Sequence, residues 1–197
     1  MKLRLCSIVL IATLGGCSGI LTSEEAPLRE YWLFPEPTVL TQDPRLKRVA
    51  PSIAISAPRG MDRRELLHLE STGQLKEYAS ARWTDSASVI VANYLGLALE
   101  RATGIVIAGN TNAVDATLDL ELRELYTRRA ASGDEAVLYV VSTITCEAKS
   151  TASGGTLTSP VRSEQLAAVV AAHRANFDAL SRSVKDQLVA TCGDSPD

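Results

Sequence analysis

The chain has 197 residues, 46% of them hydrophobic and 22% charged, with a formal net charge of −3. That balance describes one globular domain with a proper core and excludes wholesale disorder. Lys and Arg form no block anywhere along it, so nucleic acid and anionic membrane surfaces are poor partners.

Lys2 and Arg4 precede an apolar run that covers residues 5–14. A positive start, a short apolar stretch and small residues after it form a secretory signal. The run is too short for a membrane span, which takes about 20 apolar residues. It ends in Leu14, Gly15, Gly16 and Cys17. The two glycines let a peptidase approach the backbone, and the Cys17 thiol is a nucleophile to which a diacylglyceryl group can be attached. The stretch resembles a bacterial lipoprotein signal, with 14–17 as its lipobox. The resemblance implies that Cys17 becomes the lipid-carrying first residue, and Ser18 after it is similar to the code for export to the outer membrane. The alternative is an ordinary signal cut beside an unmodified cysteine, although Leu14 fits an A-x-A site poorly. Loss of 1–16 takes the charge from −3 to −5, since Lys2 and Arg4 go with it. Residues 17–29 then read as a lipidated polar tether, 30–192 as one domain and 193–197 as a tail.

Tyr31, Trp32, Leu33 and Phe34, ended by Pro35 and Pro37, suit a first short strand, and 38–48 a loop. Ile53, Ile55 and Ala57 alternate with Ser52, Ala54 and Ser56, the period of a half-buried strand. After a turn at 59–62, strands at 66–69 and 74–83 face each other across Ser71, Thr72 and Gly73. Asp85 or Ser86 can cap a helix over 86–103, in which Val91, Leu95, Ala98 and Ala102 share a face and Gly104 supplies the stop. A short strand at 105–107 and a Gly/Asn loop at 109–112 follow. Leu118, Leu120 and Leu122 alternate with Thr117, Asp119, Glu121 and Arg123, and 136–147 forms their hairpin partner across Ser132, Gly133 and Asp134. Residues 150–160, made of Ser, Thr, Gly and Ala, read as a loop. Ser163 caps a last helix carrying Leu166, Val170, His173, Phe177, Leu180, Val184 and Leu188 on one face. The order implies an α/β fold: a single domain with a mixed sheet and two amphipathic helices packed on it.

Chemistry finds few footholds. His68 and His173 are the two histidines, the first in a predicted strand and the second on the inward side of the last helix. Each reads as a structural or surface residue before a general base; composition leaves a Ser/His/Asp triad open, but G-x-S-x-G, H-E-x-x-H, C-x-x-C and the P-loop are all missing from the sequence. Asp119 and Glu121 share an outward strand face but are followed there by Arg123, which favours a solvated, charge-balanced strand over a calcium or paired-carboxylate site. No catalytic residue, metal or cofactor is therefore expected. Cys6 falls in the signal and Cys17 at the attachment point, which leaves Cys146 and Cys192 as an even pair in an oxidising compartment and suggests a disulfide.

Tyr31, Trp32 and Leu33 soon after the lipobox cysteine, Asp62 and Arg63 after the second strand, 75–83 running into Asp85 and the helix to Leu99, then the strand at 118–122 and the closing helix, follow one another in a characteristic order. In that order the chain resembles the ABC-type transport auxiliary lipoproteins. It departs at 59–61, where a more apolar approach to Asp62 would be expected. The resemblance implies a non-enzymatic lipoprotein on the periplasmic face of the outer membrane. Its implied partner is the mammalian-cell-entry-domain protein of an inner-membrane ABC transporter that moves lipid between membranes, and a homo-oligomer is compatible with it. An outer-membrane assembly chaperone and a lipid-anchored hydrolase are the competing readings.

Overall fold

The computed structural model describes residues 27–36, 41–46, 49–104 and 114–193. The signal, Cys17, most of the tether, the strand expected at 105–107, the loop at 109–112 and the tail from 194 lie outside the described residues. Among the described residues seven strands form one mixed sheet and two helices pack on it. In chain order these are β1 (Arg29–Tyr31), a 3-10 turn (Pro44–Leu46), β2 (Val49–Ser56), β3 (Glu65–Leu69), β4 (Leu75–Trp83), α1 (Ala87–Thr103), β5 (Val114–Ala130), β6 (Gly133–Cys146), β7 (Lys149–Pro160) and α2 (Leu166–Cys192).

The sheet is built outward from the antiparallel β5–β6 hairpin. The register of β5 and β6 runs from Ala116↔Cys146 to Ala130↔Gly133, with one shift between Leu122 and Glu124. On its other side β5 takes two parallel partners in tandem, β2 along Val49↔Val114 to Ser56↔Glu121 and β3 at His68↔Thr127 and Leu69↔Arg128. Beyond β3 lie β4, antiparallel to it, and then β1, parallel to β4. Beyond β6 lies β7.

Alternation along β5 and β6 places Leu118, Leu120, Leu122, Leu138, Val140 and Ile144 on one face, because successive strand side chains point to opposite sides. Both helices cover that face. Ile90, Tyr94, Leu95 and Leu99 of α1 and Phe177, Leu180, Val184 and Leu188 of α2 complete the main core. The helices meet where the Tyr94 and Phe177 rings stack edge to face at 5.3 Å, and the Tyr94 hydroxyl donates to Asp178. A smaller cluster of Leu67, Tyr126 and Val137 forms apart from the main core. Under α1, Asp43 donates its N–H to the Ala102 carbonyl at 2.8 Å, and Arg45 and Lys185 hold its carboxyl well below the usual carboxylate range, Arg45 by its hydrogen bond first.

Residues 58–64 explain why Asp62 and Arg63 belong with Trp83 and Asp85. The turn forms through Met61 and Asp62 N–H bonds to the Pro58 carbonyl, despite its polar approach. It brings the Asp62 carboxylate to accept the Ser88 N–H at 3.0 Å, and the Arg63 carbonyl to accept that of Ala87 at 3.1 Å. Ser86, at the cap position, makes no side-chain capping bond. A loop from another part of the chain thus satisfies two of the orphan amides of α1. At the other end Gly104 closes the helix with a left-handed φ of 68°, as expected.

Three expectations are corrected. The first strand is Arg29–Tyr31 and takes only Tyr31 from the aromatic run; beyond it Leu33 turns inward while Trp32 and Phe34 stay exposed. Ser163 does not cap α2, which starts at Leu166 after Gln165. Residues 150–160 are a strand, paired with β6 without a register break from Cys146↔Lys149 to Glu135↔Pro160. The loop reading failed because β7 meets α2 through hydroxyls. Ser159 donates to Asn176 Oδ1 at 2.7 Å, Gln187 bonds both Ser142 and Ser153, and the Thr191 hydroxyl donates to that of Thr151 at 3.1 Å. Leu157 is the one partly buried hydrophobic on that strand, so the apolar alternation that marks a half-buried strand is missing.

Two predictions follow from these contacts. Asp62→Ala is expected to lower stability by about 1 kcal/mol, the worth of an N-cap, while Asp62→Asn retains most of it; urea unfolding at pH 7 measures both. His173 is sealed against the Trp83 ring at 5.6 Å and burial lowers its pKa to about 4. An unfolded histidine titrates near 6.5, so the unfolded chain binds the extra proton between the two values. The contribution is fully present above pH 6.5 and lost as pH falls towards 4, about 3 kcal/mol in all. Denaturant midpoints followed from pH 7 to 4 should show the decline, and the decline should flatten in His173→Leu.

Candidate functional site

Among the described residues no three His, Cys, Asp or Glu side chains come together as metal ligands would. His68 Nδ1 lies 3.0 Å from the Thr127 hydroxyl, which is also 2.7 Å from the Tyr78 hydroxyl and 3.4 Å from the Leu67 carbonyl. Desolvation raises the Tyr78 pKa, against the opposing bond from Thr127. Thr127 is fully buried, and the group ties β3, β4 and β5 together with no carboxylate bonded to it. His173 is 1% exposed, out of reach of any substrate. Asp119 and Glu121 point to solvent, and Arg123 pairs with Glu121 at 2.9 Å while lying 5.6 Å from the centre of the Tyr139 ring. The hydrogen bond from Arg123 lowers the Glu121 pKa, as a solvated pair should.

The surface with the most unspent bonding capacity is the outer edge of β7. Among the described residues no strand pairs with it, so along 12 residues one side of the backbone presents donors and acceptors without a ladder partner. Such edges template pairing with another chain unless charge, proline, a bulge or shortness blunts them. β1 is three residues long, and β2 carries Pro51 within it. β7 has none of these devices between Lys149 and Pro160. Its sequence there is Ser150, Thr151, Ala152, Ser153, Gly154, Gly155, Thr156, Leu157, Thr158 and Ser159, without a charge. Ser150, Ala152, Gly154, Thr156 and Thr158 lie exposed on the face that carries no helix, in register with Thr145, Thr143, Val141, Tyr139 and Val137 of β6. An incoming strand would meet small side chains and no like charge.

The strand is held firmly from behind. Asn176 Nδ2 donates to the Ala136 carbonyl at 3.0 Å while its Oδ1 accepts from Ser159, so α2 clamps both β6 and β7. This surface escaped the sequence reading because 150–160 looked like a loop. The available signal was Thr156, Leu157 and Thr158, a short alternation of a length to match the strand before it.

The structure also brings Cys146, at the end of β6, against Cys192, the last residue of α2, as free thiols. Burial pushes the Cys192 thiol up to about 12, and the adjacent Cys146 adds to the effect. Cys17 lies outside the described residues.

The model of a family described as the ABC-type transport auxiliary lipoprotein component matches residues 35–185. A crystal structure of a Xanthomonas campestris protein from the DUF330 family superposes with a TM-score of 0.68 at 18% identity, over 82% of this chain and 95% of that one. A second crystal structure, of an uncharacterised protein, gives a TM-score of 0.65 at 12% identity over 82% and 99%. At these identities the two structures share the fold. No curated protein sequence matches the chain.

In an oxidising compartment Cys146 and Cys192 are expected to close to a disulfide. The loop between them is long enough for the chain-entropy model to assign about 4 kcal/mol of stabilisation. Mass spectrometry of the natively exported protein should find the two cysteines linked and refractory to alkylation until reduced; two alkylatable thiols would contradict this.

Proposed function

The chain belongs to the family of ABC-type transport auxiliary lipoprotein components, and from that premise we propose that it is the non-enzymatic auxiliary component of a system that moves lipid between membranes. Lipid at Cys17 holds it on the periplasmic face of the outer membrane. Its partner is a mammalian-cell-entry-domain protein working with an inner-membrane ABC transporter. The open edge of β7 receives a strand of that partner, in the manner of β-strand addition, where main-chain hydrogen bonds give affinity and side-chain fit gives selectivity.

The observation that carries this reading is the uncharged, unblunted edge of β7, backed along its inner face by α2. A soluble monomer with no use for such an edge would be expected to blunt it. The family match over residues 35–185, to a transport auxiliary component, supports the non-enzymatic part of this reading. A tether between anchor and domain raises the effective concentration of the two partners at the membrane.

Crosslinking in intact envelopes with a tagged full-length lipoprotein tests the proposal. Recovery of a mammalian-cell-entry-domain protein is expected. In the Ala152→Lys, Thr156→Lys variant, which puts charge on the exposed side of the edge, recovery should fall by about tenfold, corresponding to roughly 1.4 kcal/mol of lost affinity. Circular dichroism should show an unchanged fold. No capture by the parent protein, or equal capture by both, would overturn the docking mode.

A further inference from the structure

Among the described residues five large apolar side chains remain exposed, and three of them, Leu28, Trp32 and Phe34, fall within seven consecutive positions. Trp32 is 38% and Phe34 55% exposed, with ring centroids 5.5 Å apart. The rings do not hang from a free strap. Leu33 between them is buried in the main core, the Tyr31 carbonyl accepts the Thr84 N–H at 3.1 Å, and Arg101 donates to the Pro35 and Glu36 carbonyls at 2.8 and 3.1 Å. Both ends of the segment are thus tied down, and the two aromatic rings are presented on a fixed backbone.

Two arginines converge on one carboxylate beside the rings. Glu30, two residues before Trp32, is shared by Arg64 at 3.1 Å and Arg82 at 2.5 Å, so two guanidinium groups face one carboxylate. The Arg82 bond, outweighing desolvation, lowers the Glu30 pKa, so the carboxylate remains an acceptor and each arginine keeps donors to spare.

Chain length identifies the surface that meets these rings. Ten residues of chain lead from Cys17 to Pro27, where the described domain begins, a reach of at most about 35 Å when extended and roughly 16–19 Å as a coil. A lipid at Cys17 therefore keeps a membrane surface continuously within range of the aromatic pair. Tryptophan favours the headgroup level, where its amphipathic ring is half wet. Acyl anchoring also gains from a second contact.

We infer that Trp32 and Phe34 seat the domain on the phospholipid interface beside its own anchor, with Arg64 and Arg82 turned towards headgroup phosphates; the anchor and the aromatic rings supply the affinity that the chain, with no basic block, would not gain from anionic lipid. The inference rests on the lipid-anchor reading and adds an orientation to it. β7 lies at the opposite edge of the sheet from β1, so a domain seated by the segment that follows β1 offers its open edge away from the membrane.

The two tryptophans make the test direct, since Trp83 is sealed at 1% exposure and serves as an internal control. The lipidated full-length protein is reconstituted into phosphatidylethanolamine/phosphatidylglycerol vesicles with and without brominated acyl chains. Expected are flotation with the vesicles, a blue shift, and loss of the Trp32 share of the emission with brominated lipid. Trp32→Phe should float equally and show no lipid-dependent quenching. Flotation with Trp32 still open to aqueous acrylamide would overturn the seat while leaving the anchor intact. Failure to float would overturn both. Trp32 shielded from acrylamide before any lipid is added would mean that another segment of the chain covers the rings, which also overturns it.

Discussion

The placement of nearly every element follows from the need to satisfy the two long edges of the β5–β6 hairpin. These strands run 17 and 14 residues, and a buried backbone amide without a partner costs about as much as a lost hydrogen bond. β5 is too long for any single neighbour in the chain, so β2 and β3 share its edge end to end. That sharing brings the loop between β2 and β3 to the mouth of α1, where Asp62 and the Arg63 carbonyl meet amides that Ser86 leaves unserved. On the other side β7 completes β6 and is itself completed only from behind, by α2. One requirement of backbone chemistry thus accounts for the mixed sheet, the helix cap and the open edge.

What was legible in the sequence divides along a physical line. Elements that pack by apolar contact declared themselves: the alternation of Leu118, Leu120 and Leu122, the helical spacing of Val91, Leu95 and Ala98, and the long inward stripe of α2 all correspond to observed elements. Elements that pack by hydrogen bonds did not. β7 hides its strand nature because its inward positions are Thr151, Ser153 and Ser159, whose partners Thr191, Gln187 and Asn176 lie at polar positions of a helix that is 30 to 40 residues away for two of them and 17 for the third. Its turn is equally quiet, since Glu147 takes the left-handed conformation at φ 53° where Asn or Gly would have announced a hairpin. Ser163 misled for the converse reason: a good capping residue stood three positions ahead of a helix that starts without a side-chain cap.

The candidate site was the least legible part, and for the same reason. Catalytic and metal sites advertise themselves through rare residue types at fixed spacing, whereas an edge for strand addition consists of main-chain groups, and its sequence signature is a lack of charge and proline. Cys146 and Cys192 were visible as a pair by count alone, yet their adjacency depends on α2 ending over the start of the β6–β7 turn. The aromatic run divided its duties residue by residue: Leu33 went to the core while Trp32 and Phe34 stayed outside, a division that a three-residue strand parallel to β4 enforces.

The tandem pairing of β2 with β5 also sets an order of events. Val49 finds its partner at Val114, some 65 residues further along, while β5, β6, β7 and α2 contact their sequence neighbours. Local contacts form quickly and distant ones wait on loop closure. For a polypeptide that emerges N-terminus first, β3 and β4 can pair across their own turn, but β2 has no strand to join until β5 has followed it out. The C-terminal strands and α2 then act as the template, and the earlier-emerging β2, α1 and β3 are the last to lock. Truncation from the C-terminus would accordingly remove the template, leaving β2 without a partner and β3 paired on its β4 side alone.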